Sequence, residues 1–318
     1  MSDKERRVIE YLRKSFWLSG DISCMFLAAG EYNENYLVSD GEKRLVFRIN
    51  HGTQLGLENQ IEYEFNVLKA VCPSGVTPVP YHYDLEAEGL GNGVLLMEYL
   101  PGTAFDFSAD LPKAARVFAR IHALVPDEKL IVQANPARDI AAESYQLLNR
   151  YPGPHYPEVR SRLLDYHDEI LEGAEAMAAL YDNESLCMVN TEVNSGNFII
   201  NEPRSCLVDW EKAVVSYRYQ DLAHFLIPTT TLWKSSFRFS EGEKRQFLKN
   251  YLEAGESGLL LDEVYEKTRL MERVILLRAL SWCFMAYHEY TSVDRALVHD
   301  DTFAVITSYL DEAECFLV

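Results

Sequence analysis

Apolar residues recur at Val8, Ile9, Leu12 and Phe16, a spacing that predicts a helix over residues 5–17. From Ser23 to Asn50 the pattern shortens to β-type runs. CMFLAAG comes first, then NYLVSDGEKRLVFRIN, with Asp40-Gly41 as a hairpin turn. Helical spacing returns in LENQIEYEFNVLKAV, where Ile61, Phe65 and Leu68 share one face. Pro78 and Pro80 close that region, and VLLMEYL predicts a buried strand. Up to about residue 100 the predicted order is strands, helix, strands.

Pro101-Gly102 is a turn dipeptide after a buried strand, the best candidate boundary. Beyond it helical spacing dominates: LPKAARVFARIHALV, then roughly residues 138–182, then 242–318. One β-rich island, residues 187–211, interrupts them with two short strands joined by the Asn201–Arg204 turn. The expectation is an α+β, two-lobed chain with a small mixed β lobe (1–100) and a larger, mostly helical lobe (101–318). That is the layout of a protein-kinase-like fold.

Composition narrows the setting without changing this picture. The chain has 318 residues, 48% hydrophobic and 25% charged, enough for a real core in one large or two modest units. No apolar run approaches the ~18 residues of a membrane span, and the charged N-terminus lacks an apolar signal region, so no membrane association is expected. Six cysteines without a C-x-x-C pair suggest buried thiols in a reducing, cytoplasmic compartment. A formal net charge of −19 disfavours a nucleic-acid partner and permits a cationic substrate. Oligomeric state is not legible.

The chemistry concentrates in Asn190-Thr191-Glu192-Val193-Asn194-Ser195-Gly196-Asn197 and Leu207-Val208-Asp209-Trp210-Glu211. Phosphoryl transfer needs Mg²⁺ held by hard oxygen ligands from two sides. Asn197 offers an amide oxygen and Asp209 a carboxylate, at opposite ends of a tight hairpin, and Glu192 is placed to act on an attacking hydroxyl. Here the sequence resembles the aminoglycoside phosphotransferase and choline kinase-like family. Its catalytic loop usually reads His-Gly-Asp-x-x-x-x-Asn, followed by a strand ending in Ile-Asp-Trp-Glu. Asn197, Asp209, Trp210 and Glu211 match, while Asn190, Thr191 and Glu192 replace His, Gly and the base Asp. Asp221-Leu222-Ala223 resembles the family element that packs under the metal-binding loop.

The resemblance implies ATP or GTP with Mg²⁺ as cofactors and a small-molecule acceptor. It puts Arg48 in the slot of the family's strand lysine, and Glu64 is the helix partner because it lies nearer the apolar face than Glu62 does. Gly30, Asn33 and Tyr36 fit a phosphate-covering turn, with backbone amides after Gly30 as donors. Met97-Glu98-Tyr99-Leu100 reads as the hinge whose backbone meets the base, with Glu98 and Leu100 as the contacts. On the acceptor side the candidates are Glu211, Trp233, Trp282 and Glu289, aromatic faces and carboxylates that would suit an amine-bearing alcohol. His122 reads as structural. Two alternatives stay open: a nucleotide-binding module without turnover, motivated by the substitutions at Arg48, Asn190 and Glu192, and nucleotidyl transfer to protein.

Overall fold

The computed structural model describes residues 1–30, 32–53, 55–91, 93–127, 129–151, 153–255, 258–292 and 300–317. Ser2 opens the first helix, α1 (Asp3–Lys14), with a reciprocal cap: its hydroxyl accepts the Glu5 amide and the Glu5 carboxylate accepts the Ser2 amide. The strands β1 (Ser23–Ala29), β2 (Asn33–Ser39) and β3 (Arg44–Asn50) follow, then α2 (Gln60–Val71), β4 (Pro80–Asp84) and β5 (Val94–Glu98). They form one antiparallel sheet in the order β1-β2-β3-β5-β4. Period-two alternation on β3 decides what faces where. Leu45, Phe47 and Ile49 pack with Val8, Ile9 and Leu12 of α1. Val46 turns to the opposite face and packs with Ile61 and Leu68 of α2, and Arg48 shares that alternation.

The larger part begins with β6 (Thr103–Ala104), α3 (Leu111–His122), α4 (Pro136–Arg150) and α5 (Pro157–Tyr181). Next come β7 (Cys187–Val189), β8 (Phe198–Ile200), β9 (Cys206–Leu207) and β10 (Val214–Ser216). The chain ends in α6 (Tyr219–Leu226), α7 (Pro228–Thr231), α8 (Glu241–Gly255), α9 (Leu261–Ser292), α10 (Asp300–Asp311) and α11 (Ala313–Phe316). β7 pairs with β10, and β8 lies between β6 and β9, so the β-rich island is stitched at both ends into short antiparallel ribbons. The long helix α9 is packed against α4, α5, α6, α8 and α10, which is why its apolar residues do not keep to one stripe. This is the expected two-lobed kinase-like architecture, a small antiparallel sheet beside a larger helical body. The strands β4, β6 and β10 were not legible in the pattern. β4 carries Pro80 at the edge of the sheet, where a missing N–H is tolerated.

Several side chains fasten the two parts together. Gln60 donates to the Glu211 carbonyl at 2.7 Å and Tyr63 to the Ala213 carbonyl at 2.7 Å. Arg204 donates to the Glu98 carboxylate at 2.7 Å and to the Gly75 and Thr77 carbonyls. Arg48 and Asn33 add further links, described with the site below. No helix among the described residues is long and apolar enough to cross a membrane, and the six cysteines are free thiols.

Beneath the β8–β9 ribbon lies an aromatic cluster in which Phe225 touches the rings of Phe105, Phe107, Phe118, Phe198 and Phe247. Phe225 is fully buried, and truncating such a residue costs about 3–5 kcal/mol through lost transfer energy and the cavity left behind. Phe225→Ala is therefore expected to lower the urea midpoint by that much stability at unchanged m-value. A loss under about 1 kcal/mol would mean that the cluster does not hold the hairpin from below.

Candidate active site

The loop after β7 takes its shape from one buried carboxylate. Asp221, on α6, accepts the Asn190 and Thr191 amides on separate oxygens, each at 2.8 Å, and His122 Nε2 lies 3.3 Å away. His122 is held in turn by the Tyr251 hydroxyl, a structural histidine as expected. The clamp forces Thr191 to φ 65°, a left-handed conformation that is costly for a β-branched residue. This explains why glycine is usual there in the resembled motif. Thr191 offsets the strain by donating its hydroxyl to the Lys212 carbonyl at 3.0 Å. Asn190 occupies the usual histidine position. Its amide nitrogen donates to the Asp209 carbonyl at 2.8 Å, while its oxygen accepts the Glu192 amide at 3.0 Å. One short side chain thus ties together the two segments that carry the acidic groups.

Asp209 is itself left-handed, at φ 64°, immediately after β9. The turn brings carboxylate oxygens of Glu192, Asp209 and Glu211 within 4.8 Å of one another. Asn197 donates its amide nitrogen to the Glu192 carbonyl at 2.7 Å, which leaves its oxygen available as a ligand. Oxygens across an octahedral Mg²⁺ lie about 4.2 Å apart, so this set of hard donors fits a divalent cation with little adjustment. Glu211 was expected on the acceptor side. It lines the larger hollow from within the acid cluster, where it is buried and accepts a hydrogen bond from the Asn33 amide. Burial and the neighbouring charges of Asp209 and Glu192 push its carboxyl up to about 8. Burial likewise raises the Glu192 carboxyl against the opposing pull of Lys212, whose ammonium lies 3.5 Å away.

Arg48 reaches into the cluster from β3. Its Nη1 lies 2.5 Å from Glu64 of α2 and 3.2 Å from Asp209, and its Nε donates to Asn35. Arg48 and Glu64 are both buried, and the carboxylates around the guanidinium keep it charged, outweighing the cost of burial. Gly30 and Asn33 lie at the rim of the same cavity, and the amide of residue 31, one of the expected phosphate donors, lies outside the described residues.

Two hollows meet at Arg48 and Asp209. The smaller, about 150 Å³, is walled by Val46, Leu68, Met97, Leu100, Ile199 and Val208, an apolar slot suited to a flat heterocycle. Leu100 and Glu98 both line it. The Glu98 amide is already committed to the Val79 carbonyl and its carboxylate to Arg204, which leaves its carbonyl for a ligand. The larger, about 680 Å³, runs from the acid cluster to Trp233 and Trp282. The expected Glu289 does not line either hollow; it contacts Tyr151 and Arg150 farther along α9. Sequence reasoning missed Lys212 and Arg278, which both line the larger hollow. Lys212 follows Glu211 directly and could have been noticed, whereas nothing in the local pattern of α9 distinguishes Arg278.

The phosphotransferase enzyme family model known as APH matches residues 23–270, most of the chain, including Arg48, Glu64 and the acid cluster. The chain belongs to that family. Choline kinase LicA from Streptococcus pneumoniae superposes with TM-score 0.65 at 17% identity, over 99% of this chain and 100% of that one. The Plasmodium vivax ethanolamine kinase gives TM-score 0.64 at 14% identity, over 92% and 82%. Spectinomycin phosphotransferase APH(9)-Ia, in complex with ADP and its antibiotic, gives 0.57 at 14% identity, over 96% and 93%. At these identities the likeness is one of fold. No curated protein sequence matches this phosphotransferase.

The raised Glu211 carboxyl makes a prediction about pH. A group protonated more readily in the folded chain than in the unfolded one contributes stability below its ordinary value of 4.5 and loses it as the pH climbs through about 8. The metal- and nucleotide-free protein is expected to show a falling Tm across that window, and Mg²⁺ is expected to flatten the fall by neutralising the cluster. A Tm that is level with pH in chelator, or unmoved by Mg²⁺, contradicts the charge balance described above.

Proposed function

We propose that this family member transfers the γ-phosphoryl group of ATP to a hydroxyl of a small molecule. The observation that carries the reading is the position of the Glu192, Asn197 and Asp209 donors, at the meeting point of an apolar slot and a larger, partly polar hollow. On this reading the slot takes the base, with the Glu98 carbonyl and Leu100 amide as its polar contacts, and Arg48, steadied by Glu64, meets the phosphates. Asp209 and Asn197, joined by Glu211, would hold Mg²⁺, which when bound supplies neutralisation of the phosphate charge. Glu192 orients the acceptor hydroxyl and takes its proton as the new P–O bond forms and the bond to ADP breaks. Lys212 opposes the burial that raises that carboxyl and so favours its ionised form.

Glu in place of Asp moves the base by about one bond length, and a 1 Å misplacement can cost roughly 10²-fold. Asn190, which fixes the Glu192 amide and the Asp209 carbonyl together, supports a loop fitted to the longer side chain. The reading without turnover predicts the reverse, a loop that has lost its register.

Glu192→Gln is expected to reduce turnover at least 10²-fold, the low end of general-base contributions, while Mg²⁺–ATP affinity stays within a few-fold. Absence of any ADP formation by the wild-type protein across a broad panel of alcohols would overturn the proposal. A second test joins Arg48→Lys with Glu192→Asp, restoring the pair usual in the resembled motif. An enzyme retuned to Arg and Glu loses activity in the double variant, and a decayed one gains it.

A further inference from the structure

Arg278 stands halfway along α9, only 7% exposed, and lines the larger hollow. Its one hydrogen bond among the described residues is a long one, from Nη2 to the Thr191 carbonyl at 3.4 Å. No described carboxylate lies within ion-pairing distance of it; the nearby Glu192 is engaged by Lys212. A guanidinium with most of its donors unspent is expensive to bury without an anion. Of the groups that face it, Glu192 is the acidic one, within reach of the Arg278 charge but shared with Lys212, and the others are electropositive or neutral. Lys212 lines the same wall, and His224 of α6 is held well below its ordinary pKa by burial and by the charges of Arg278 and Lys212, so it stays uncharged. Any compensation from the acid cluster at longer range shrinks once a divalent cation occupies that cluster. Around the guanidinium the walls are aromatic: Trp282, one turn farther along α9, meets Trp233 at 5.9 Å in an edge-on contact, and Tyr309 closes behind.

We propose that the acceptor is a hydroxylated organic acid, whose carboxylate pairs with Arg278 while its hydroxyl faces Glu192. The proposal rests on the phosphotransfer reading and adds the charge of the acceptor to it. Arg278 presents a planar fork of donors that matches a carboxylate in two contacts. Because it also holds the Thr191 carbonyl, the residue before Glu192, an acid docked there sets the hydroxyl relative to the base. The Trp233–Trp282 walls suit the carbon skeleton between the two groups. The charged groups of opposite sign on this hollow away from the cluster, Glu143 and Asp301, are half-buried and exposed, and neither forms an ion pair with Arg278 among the described residues.

The test uses three probes with the same ring and hydroxyl but different charge: meta-(hydroxymethyl)benzoate, its carboxamide, and meta-(hydroxymethyl)benzylamine. Each is titrated by saturation-transfer NMR into the intact protein with Mg²⁺ and ADP. The benzoate is expected to bind about tenfold or more tighter than the amide, the increment of a charge-assisted hydrogen bond, with the benzylamine weakest. Arg278→Gln should erase that preference and Arg278→Lys should keep part of it, with Mg²⁺–ATP affinity in both variants reporting that the site remains folded. Equal binding of the three probes, preference for the benzylamine, or a benzoate preference that survives Arg278→Gln would each overturn the proposal. If Arg278→Gln slows phosphorylation of all three alike without changing their relative affinities, the guanidinium serves the transferring phosphoryl group and the proposal also fails. Failure of Mg²⁺–ATP to bind, with the benzoate preference intact, would sink the phosphotransfer reading and leave the acid site standing.

Discussion

Asp221 accepts the amides of Asn190 and Thr191 on its two oxygens, and His122 meets the second of them from α3. The carboxylate is fully buried, and the neighbours that satisfy it belong to the loop after β7 or to α3. Placing that charge in the core is tolerable because charge-assisted bonds to backbone amides are strong in a low-dielectric interior. Those bonds dictate the conformation of Thr191, the direction in which Glu192 leaves the loop, and the side from which Asn190 can reach Asp209. Helix α6 therefore acts as a jig for the hairpin, and the aromatic cluster around Phe225 fixes the jig.

Much of this was readable from residue patterns, and the reasons differ from element to element. The β3 alternation and the face of α2 were strong because period two and period 3.6 leave few ways to bury Phe47 and Leu68, and they brought Arg48 opposite Glu64 as a by-product. The hairpin strands were visible because tight turns flank them. The strands β6 and β10, two and three residues long, are too short for periodicity to register; their pairing is decided by partners that arrive from far along the chain. Glu289 and Arg278 show the limit most clearly. Both lie on α9 among aromatic residues, and only tertiary packing turns Arg278 into the hollow and carries Glu289 away toward Arg150.

The substitutions at the usual motif positions form a set. Asn190 bonds to both acidic segments, Thr191 adds a hydroxyl bond to the Lys212 carbonyl, and Lys212 in turn approaches Glu192. A longer carboxylate side chain, a branched residue in a strained conformation and a neighbouring ammonium are each unfavourable alone, yet each neighbour offsets part of another's cost. Such mutual support is what local consistency across a fold looks like at a site that departs from its relatives.

The Arg48 contacts carry a last consequence. A single nitrogen of this guanidinium is shared by Glu64, from the sheet side, and Asp209, from the helical side. A cation entering the acid cluster competes for Asp209, and a phosphate competes for Arg48. Each, arriving alone, would break the Arg48–Asp209 contact and leave Arg48 with Glu64 and Asn35 only, whereas together they replace that contact on both sides. On the proposed phosphotransfer reading, metal and nucleotide are cooperative ligands, each raising the affinity of the other by the same factor, and the Arg48–Asp209 ion pair is the contact that couples them.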